Sequence, residues 1–173
     1  FRCIEYTAFL WKAKGRHGTH SPFAYWLVAV VKGLHPKEEV PIVRLINCKK
    51  TRQFVAKLSE ALPEHLLCSF GSFDQNNSKP CICIVPHDQL HNLEQTVQQQ
   101  FIHPTSIFIV ADPNNKLNRA TWKKLSGKAV FHFSADCYFF GLLSPRPGQA
   151  KEHFYLKLTE PPIFFSFVRR SEE

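Results

Sequence analysis

Two short runs, Cys81 to Val85 and Ile107 to Ala111, are apolar at every position rather than at every second one. A strand with water on one side alternates apolar and polar residues, because its side chains point to opposite faces in turn. A strand apolar on both sides must be covered on both sides. That pattern excludes a sheet with one wet face and calls for a mostly parallel sheet between two helical layers, as in doubly wound α/β folds.

The intervening sequence supplies the covering layers. Residues 3 to 13 predict a short helix, and Ser21 followed by Pro22 reads as an N-cap with proline at the first helical position, where its missing N–H is harmless. Phe23, Trp26, Leu27, Val30, Val31 and Leu34 then recur at helical spacing. From Pro41 the units alternate. Ile42 to Ile46 predicts a strand, Phe54 to Leu62 marks a helix, and Leu66 to Phe70 predicts a strand. Gly71 to Pro80 is a polar loop, Leu90 to Phe101 carries a second helical stripe, and Ser106 to Ala111 predicts a further strand. Asn118 caps a helix containing Trp122 and Leu125 that ends at Gly127. Ala129 to Ser134, Tyr138 to Leu143 and His153 to Leu158 follow as close-spaced strands with no helical pattern between them, which predicts an antiparallel C-terminal edge. Ile163 to Val168 is an aromatic tail that must dock somewhere.

At 173 residues the chain suits one domain of ordinary size. We divide it into a helical extension over 1–36 and an α/β domain over 37–173. No apolar run approaches the roughly 20 residues of a membrane-spanning helix, and the start lacks a signal-peptide pattern, so a cytoplasmic protein is expected. Cys68, Cys81, Cys83 and Cys137 lie inside apolar runs and read as reduced, buried thiols. The net charge of +8 is concentrated: residues 1 to 57 hold eleven Lys and Arg against three Glu, and the remainder is balanced. A basic, aromatic-rich third of this kind is the footprint of a nucleic-acid contact, or else a solvated face whose lysine stems cover apolar surface.

Other polar groupings are less specific. His17-Gly18-x-His20 could present ligand nitrogens or a general base, or simply cap the turn before the second helix. His87 and His91 share a helix face as in zinc enzymes, without the third ligand and glutamate base such sites use, so no metal is expected there. Cys81 and Cys83 face one way on their strand and read as core.

Lys14-x-x-His17-Gly18-x-His20-Ser21-Pro22-Phe23-x-Tyr25 resembles the N-terminal signature of a group of bacterial class I S-adenosylmethionine-dependent methyltransferases known mainly from Bacteroidetes. Ile46-Asn-Cys-Lys is similar to the end of that family's second strand, Gly71-Ser-Phe73 to the turn after its third, and Ile107 to Asp112 to its fifth. Trp122, Phe139-Phe-Gly and Lys151-Glu-His-Phe154 complete the similarity. The resemblance implies a Rossmann-like sheet with an antiparallel last strand. It further implies that Asn47, Ser72 and Phe73 border the nucleoside of S-adenosylmethionine and that Asp112 faces the methyl acceptor.

The chain departs from that family where the donor is gripped. Only seven residues separate Gly33 from Pro41, whereas a βαβ unit takes roughly 30. The first strand and its glycine-rich turn are therefore missing from the pattern. Asn47 stands where the family has a ribose-binding acid, and the acidic residue after the fourth strand falls in Val85-Pro86-His87-Asp88 without a matching position. A sheet deprived of its central strand exposes unpaired backbone unless the neighbours pair directly or two copies join. The chain also has no methionine. A naturally shortened pseudoenzyme and a piece of a full enzyme are both compatible with these features, as is a non-enzymatic binding or scaffold protein.

Overall fold

The computed structural model describes residues 2–13, 21–33, 46, 48–73, 79–99 and 102–157. Five α-helices and six strands lie in these segments. Helix α1 spans Arg2–Lys12 and α2 spans Pro22–Gly33. Helix α3 covers Lys49–Ala61, α4 Leu90–Gln99 and α5 Arg119–Gly127. The strands are β1 Leu66–Ser69, β2 Cys81–Val85, β3 Ile107–Ala111, β4 Phe133–Asp136, β5 Phe140–Ser144 and β6 Glu152–Tyr155. Among the described residues, no helix is long and apolar enough to cross a membrane.

The strands form one sheet in the order β1-β2-β3-β5-β4-β6. β1, β2 and β3 are parallel neighbours, β5 runs antiparallel to both β3 and β4, and β6 is parallel to β4. The expected α/β architecture is present, with one correction to its C-terminal part. The antiparallel strand is β5, and it lies inside the sheet. The edge strand β6 is parallel to its neighbour because β5 ends beside the start of β4 and residues 145–151 cross to the other side of β4 at that same end.

The two apolar strands divide their side chains as a doubly covered sheet requires. Ile82, Ile84, Ile107 and Ile109 join Leu27, Val28, Phe54, Val55 and Leu58 of α2 and α3 in one core. Cys81, Cys83, Val85, Phe108 and Val110 join Leu90, Leu93, Val97, Trp122 and Leu125 of α4 and α5 in the other. Each fully buried aliphatic or aromatic side chain contributes about 1.5–3 kcal/mol relative to exposure. The helices thus hold the sheet from both sides.

β1 and β2 pair directly, from Leu66 opposite Cys81 to Ser69 opposite Ile84. The connection, residues 70–80, opens with a 3-10 turn at Phe70–Ser72 and is about as short as a parallel crossover can be.

Some details differ from the pattern. β4 begins at Phe133 rather than Ala129, since Phe131 N–H returns to Lys128 O at 3.2 Å and turns the buried Phe131 ring into the α4–α5 core. Asn118 does not cap α5 with its side chain; its amide is committed elsewhere, as described below. The strand predicted over 42–46, the His17-Gly-x-His20 turn and the aromatic tail fall outside the described residues, apart from Ile46, which is buried in the α2–α3 core.

Candidate functional site at the carboxyl end of the sheet

Open α/β sheets bind ligands beyond the carboxyl ends of their parallel strands, where loops gather and backbone groups are unpaired. Here that rim is built from the 3-10 turns after β1 and β2, the loop Asp112 to Asn118 after β3, and the three-residue β4–β5 turn Cys137-Tyr138-Phe139, which reaches the same end because β5 is antiparallel.

Asp112, the expected acceptor-facing residue, leaves β3 with φ +46°, a left-handed conformation uncommon for a side-chain-bearing residue. Its N–H donates to Phe139 O at 3.2 Å and its carbonyl accepts from Asn115 N–H at 3.2 Å, so the β4–β5 turn fixes its backbone. Ser72 is exposed, and its hydroxyl donates to Ser69 O at 3.1 Å. Phe73 is half-buried and turns toward the sheet, 5.7 Å from Phe108 and stacked 6.5 Å from Phe70. Asn47 lies outside the described residues. Ser72 and Phe73 thus sit together after β1, and Asp112 two strands away.

The rim contains a carboxylate that sequence reasoning missed. Asp136, at the end of β4, is only 6% exposed. Its oxygens accept the Asn114 side-chain amide at 3.1 and 3.0 Å and Tyr138 N–H at 2.8 Å. The last of these is an Asx-type turn, in which an aspartate bonds the backbone two residues on. It holds Tyr138 at φ +68°. The available signal was Asp136-Cys-Tyr between two apolar runs; Asn114 had no signal of its own. Asn118 donates from its side chain to His87 O at 2.8 Å, tying the loop after β3 to the turn after β2.

Aromatic residues close one side of the rim. Tyr6 and Phe9 of α1 lie 4.6 and 5.5 Å from the Tyr138 ring, and Phe9 is 6.4 Å from Tyr155. Burial, and then the neighbouring Tyr138, push the Tyr6 phenol above its ordinary value. Lys12 Nζ stands 5.8 Å from the centre of the Tyr155 ring and Lys50 Nζ 5.0 Å from that of Phe139, both within cation–π range.

The two imidazoles expected on one helix face sit on successive elements, a 3-10 turn and α4. His87 is exposed in the turn after β2, and His91, in α4, has Nε2 3.3 Å from the Gln95 amide. Among the described residues no three His, Cys, Asp or Glu side chains gather as metal ligands. Cys81 and Cys83 face the α4–α5 core together, as expected, with Cys68 half-buried beside them.

No family model, curated protein or solved structure matches this chain. Asp136 is saturated by donors and serves to hold the β4–β5 turn. Asp112 is half-buried where the parallel strand β3 ends.

Proposed function

We propose that this chain has class I methyltransferase architecture and works by binding, having lost its grip on S-adenosylmethionine. The observation that carries this reading is the direct pairing of β1 with β2. In that architecture the donor lies against the glycine-rich turn of the first strand, because only glycine lets the backbone approach closely. With β1 against β2 and β2 against β3, no glycine-turned strand stands between them. The residues that the resemblance assigns to the nucleoside are also engaged locally: Ser72 with Ser69, and Phe73 with Phe108. If a donor were held, Asn47, Ser72 and Phe73 would border it and Asp112 would face the acceptor.

Calorimetric titration of the protein with S-adenosylmethionine and S-adenosylhomocysteine tests the reading. No binding is expected; a micromolar or tighter complex would defeat it.

A second reading, contact with nucleic acid through the basic N-terminal third, is favoured by Lys12 and Lys50, which bring ammonium groups to the aromatic side of the rim. RNA affinity is then expected to fall steeply with salt as condensed counterions are released. Affinity that is absent, or indifferent to salt, would count against it.

A further inference from the structure

The loops at the amino end of the sheet, opposite the rim, gather basic side chains around a guanidinium that nothing neutralises. Pro145-Arg146-Pro147 follows β5, and Arg146 takes φ +39°, a left-handed conformation that a residue with a Cβ adopts rarely and that stores strain. Its N–H donates to Pro104 O at 2.9 Å, which fixes it against the loop leading into β3. The guanidinium lies on the face of Phe23 in α2, with Cζ 3.2 Å from the ring centre, a stacking that arginine favours. Among the described residues it has no carboxylate partner, and its terminal nitrogens bond to nothing. Burial pushes its pKa down to about 10, as expected of a cation with no anion beside it.

This charge can be reached from outside. Only Nε of the guanidinium is enclosed, and the fork of terminal nitrogens is open. A second donor stands in the same place. His103 precedes Pro104, and its Nδ1 accepts from Thr105 N–H at 3.3 Å, so the neutral ring carries its proton on Nε2. That N–H meets no acceptor among the described residues and is also open. His65, just before β1, donates from Nε2 to Thr105 O at 3.1 Å, and the charges of both Arg146 and His103 act on its ring. Glu64 acts on it too, from an exposed position, whereas residues 102–106 and 145–150 include no acid.

We infer that Arg146 and His103 form a binding site for a carboxylate at the amino end of the sheet. The guanidinium fork would take both carboxylate oxygens in parallel, and His103 Nε2–H would donate to one of them. One guanidinium and two neutral imidazoles supply a single positive charge, which balances a carboxylate and leaves one of a phosphate dianion's charges unmatched. The Phe23 ring, itself stacked 5.7 Å from Trp26, holds the fork in place beforehand, so little side-chain freedom is lost on binding. The carboxylate could belong to a small organic acid or to an acidic side chain of another protein. The site is separate from the rim and stands whether or not a methyl donor binds.

The test is imidazole NMR on the full chain at constant ionic strength and chloride, titrated with acetate and, separately, with a capped peptide carrying one glutamate, whose glutamine counterpart is the blank. Saturable shifts are expected at the His103 and His65 rings with at least one probe. Far tighter peptide binding assigns the carboxylate to a protein partner, and comparable affinities assign it to a small acid. A bound carboxylate offsets the Arg146 charge that helps lower the His65 pKa, while burial, the Thr105 carbonyl, His103 and Glu64 act as before, so that pKa should rise on saturation. Arg146→Gln should weaken binding about tenfold or more, and Arg146→Lys, which keeps the charge without the fork, severalfold. His103→Asn retains an acceptor for Thr105 and removes the Nε2–H. It should weaken binding severalfold with Tm unchanged, a combination that a merely structural histidine would not give. Lys123→Ala, exposed on α5, should change nothing. Absence of saturable shifts with both probes, a His65 pKa that does not rise, binding that survives Arg146→Gln, or an equal loss in Lys123→Ala would overturn the site.

Discussion

Gly141 is required by a neighbour rather than by its own backbone. It lies in β5 between Val110 and Asp136, and a Cβ added there would meet Trp122 Cη2, with Cζ2 and Cζ3 at 2.7 Å. The indole of α5 therefore rests directly on the sheet at the one position without a side chain. Gly141→Ala should destabilise the protein by about 1–3 kcal/mol through overpacking, read as a lower urea midpoint. The penalty should shrink in a Trp122→Leu background, and a penalty unchanged there would show that the indole is not its cause. Glu94 is a second residue whose neighbours determine its behaviour. It is nearly buried on α4, with Lys124 Nζ at 2.6 Å and Lys128 Nζ at 3.6 Å. The hydrogen bond from Lys124 is the main cause of a carboxyl pKa below the ordinary 4.5. A depressed folded value contributes stability above the unfolded pKa and loses it as pH falls through the folded one. The stability difference between wild type and Glu94→Gln should accordingly be constant near neutrality and diminish below about pH 4.5; a difference that grows on acidification would reverse the assignment.

Helix α1 differs from the other four in what it packs against. α2 to α5 cover the two apolar faces of the sheet, whereas α1 sits on the β4–β5 turn through Tyr6 and Phe9. An element held mainly by a few ring contacts opens more easily than one buried along its length. Tyr6→Ala with Phe9→Ala should raise hydrogen exchange across α1 by about tenfold or more, while α4 amides keep wild-type rates; equal acceleration of both helices would mean that α1 belongs to the cooperative core. The limits of sequence reading follow from the same packing. β2, β3, α4 and α5 were legible because a fully apolar pentad and a 3.6-residue stripe each admit one solution in a two-layered fold. The start of β4 was not, since Val130 and Phe131 are as apolar as a strand, and only the turn closed by Lys128 shows that they serve the core from a loop. At the rim, Asp112 could be found from its place after an apolar run. Asp136 and Asn114 bond across 22 positions, a pairing no local pattern announces. Direct pairing of β1 with β2 is likewise a matter of register, which no local pattern encodes.

At the scale of the molecule, the question is whether a sheet closed in this way, with residues 70–80 joining β1 to β2, still unfolds as one unit. The thiols supply reporters on both faces. Cys83 lies in the α4–α5 core and Cys137 in the α2–α3 core, 0% and 2% exposed, and both are free. Burial, and then the Asp136 carboxylate, push the Cys137 thiol well above its usual value. The Cys68 thiol is drawn down by its bond to Cys81 but raised further by Cys83 and by burial, reaching about 12. Alkylation needs thiolate and access together, so in the native protein Cys48, half-buried outside both cores, should label ahead of Cys68, and Cys83 and Cys137 should not label until their cores open. If the sheet couples its two faces, pulse alkylation along a urea series, mapped by mass spectrometry, will modify Cys83 and Cys137 at the same midpoint, and that midpoint will match loss of helical circular dichroism. Labelling of Cys83 at distinctly lower urea than Cys137 would show that the face carrying α4 and α5 opens by itself. The short β1–β2 connection would then be a weak seam, because Cys83 is the residue that stands opposite Cys68 across that junction.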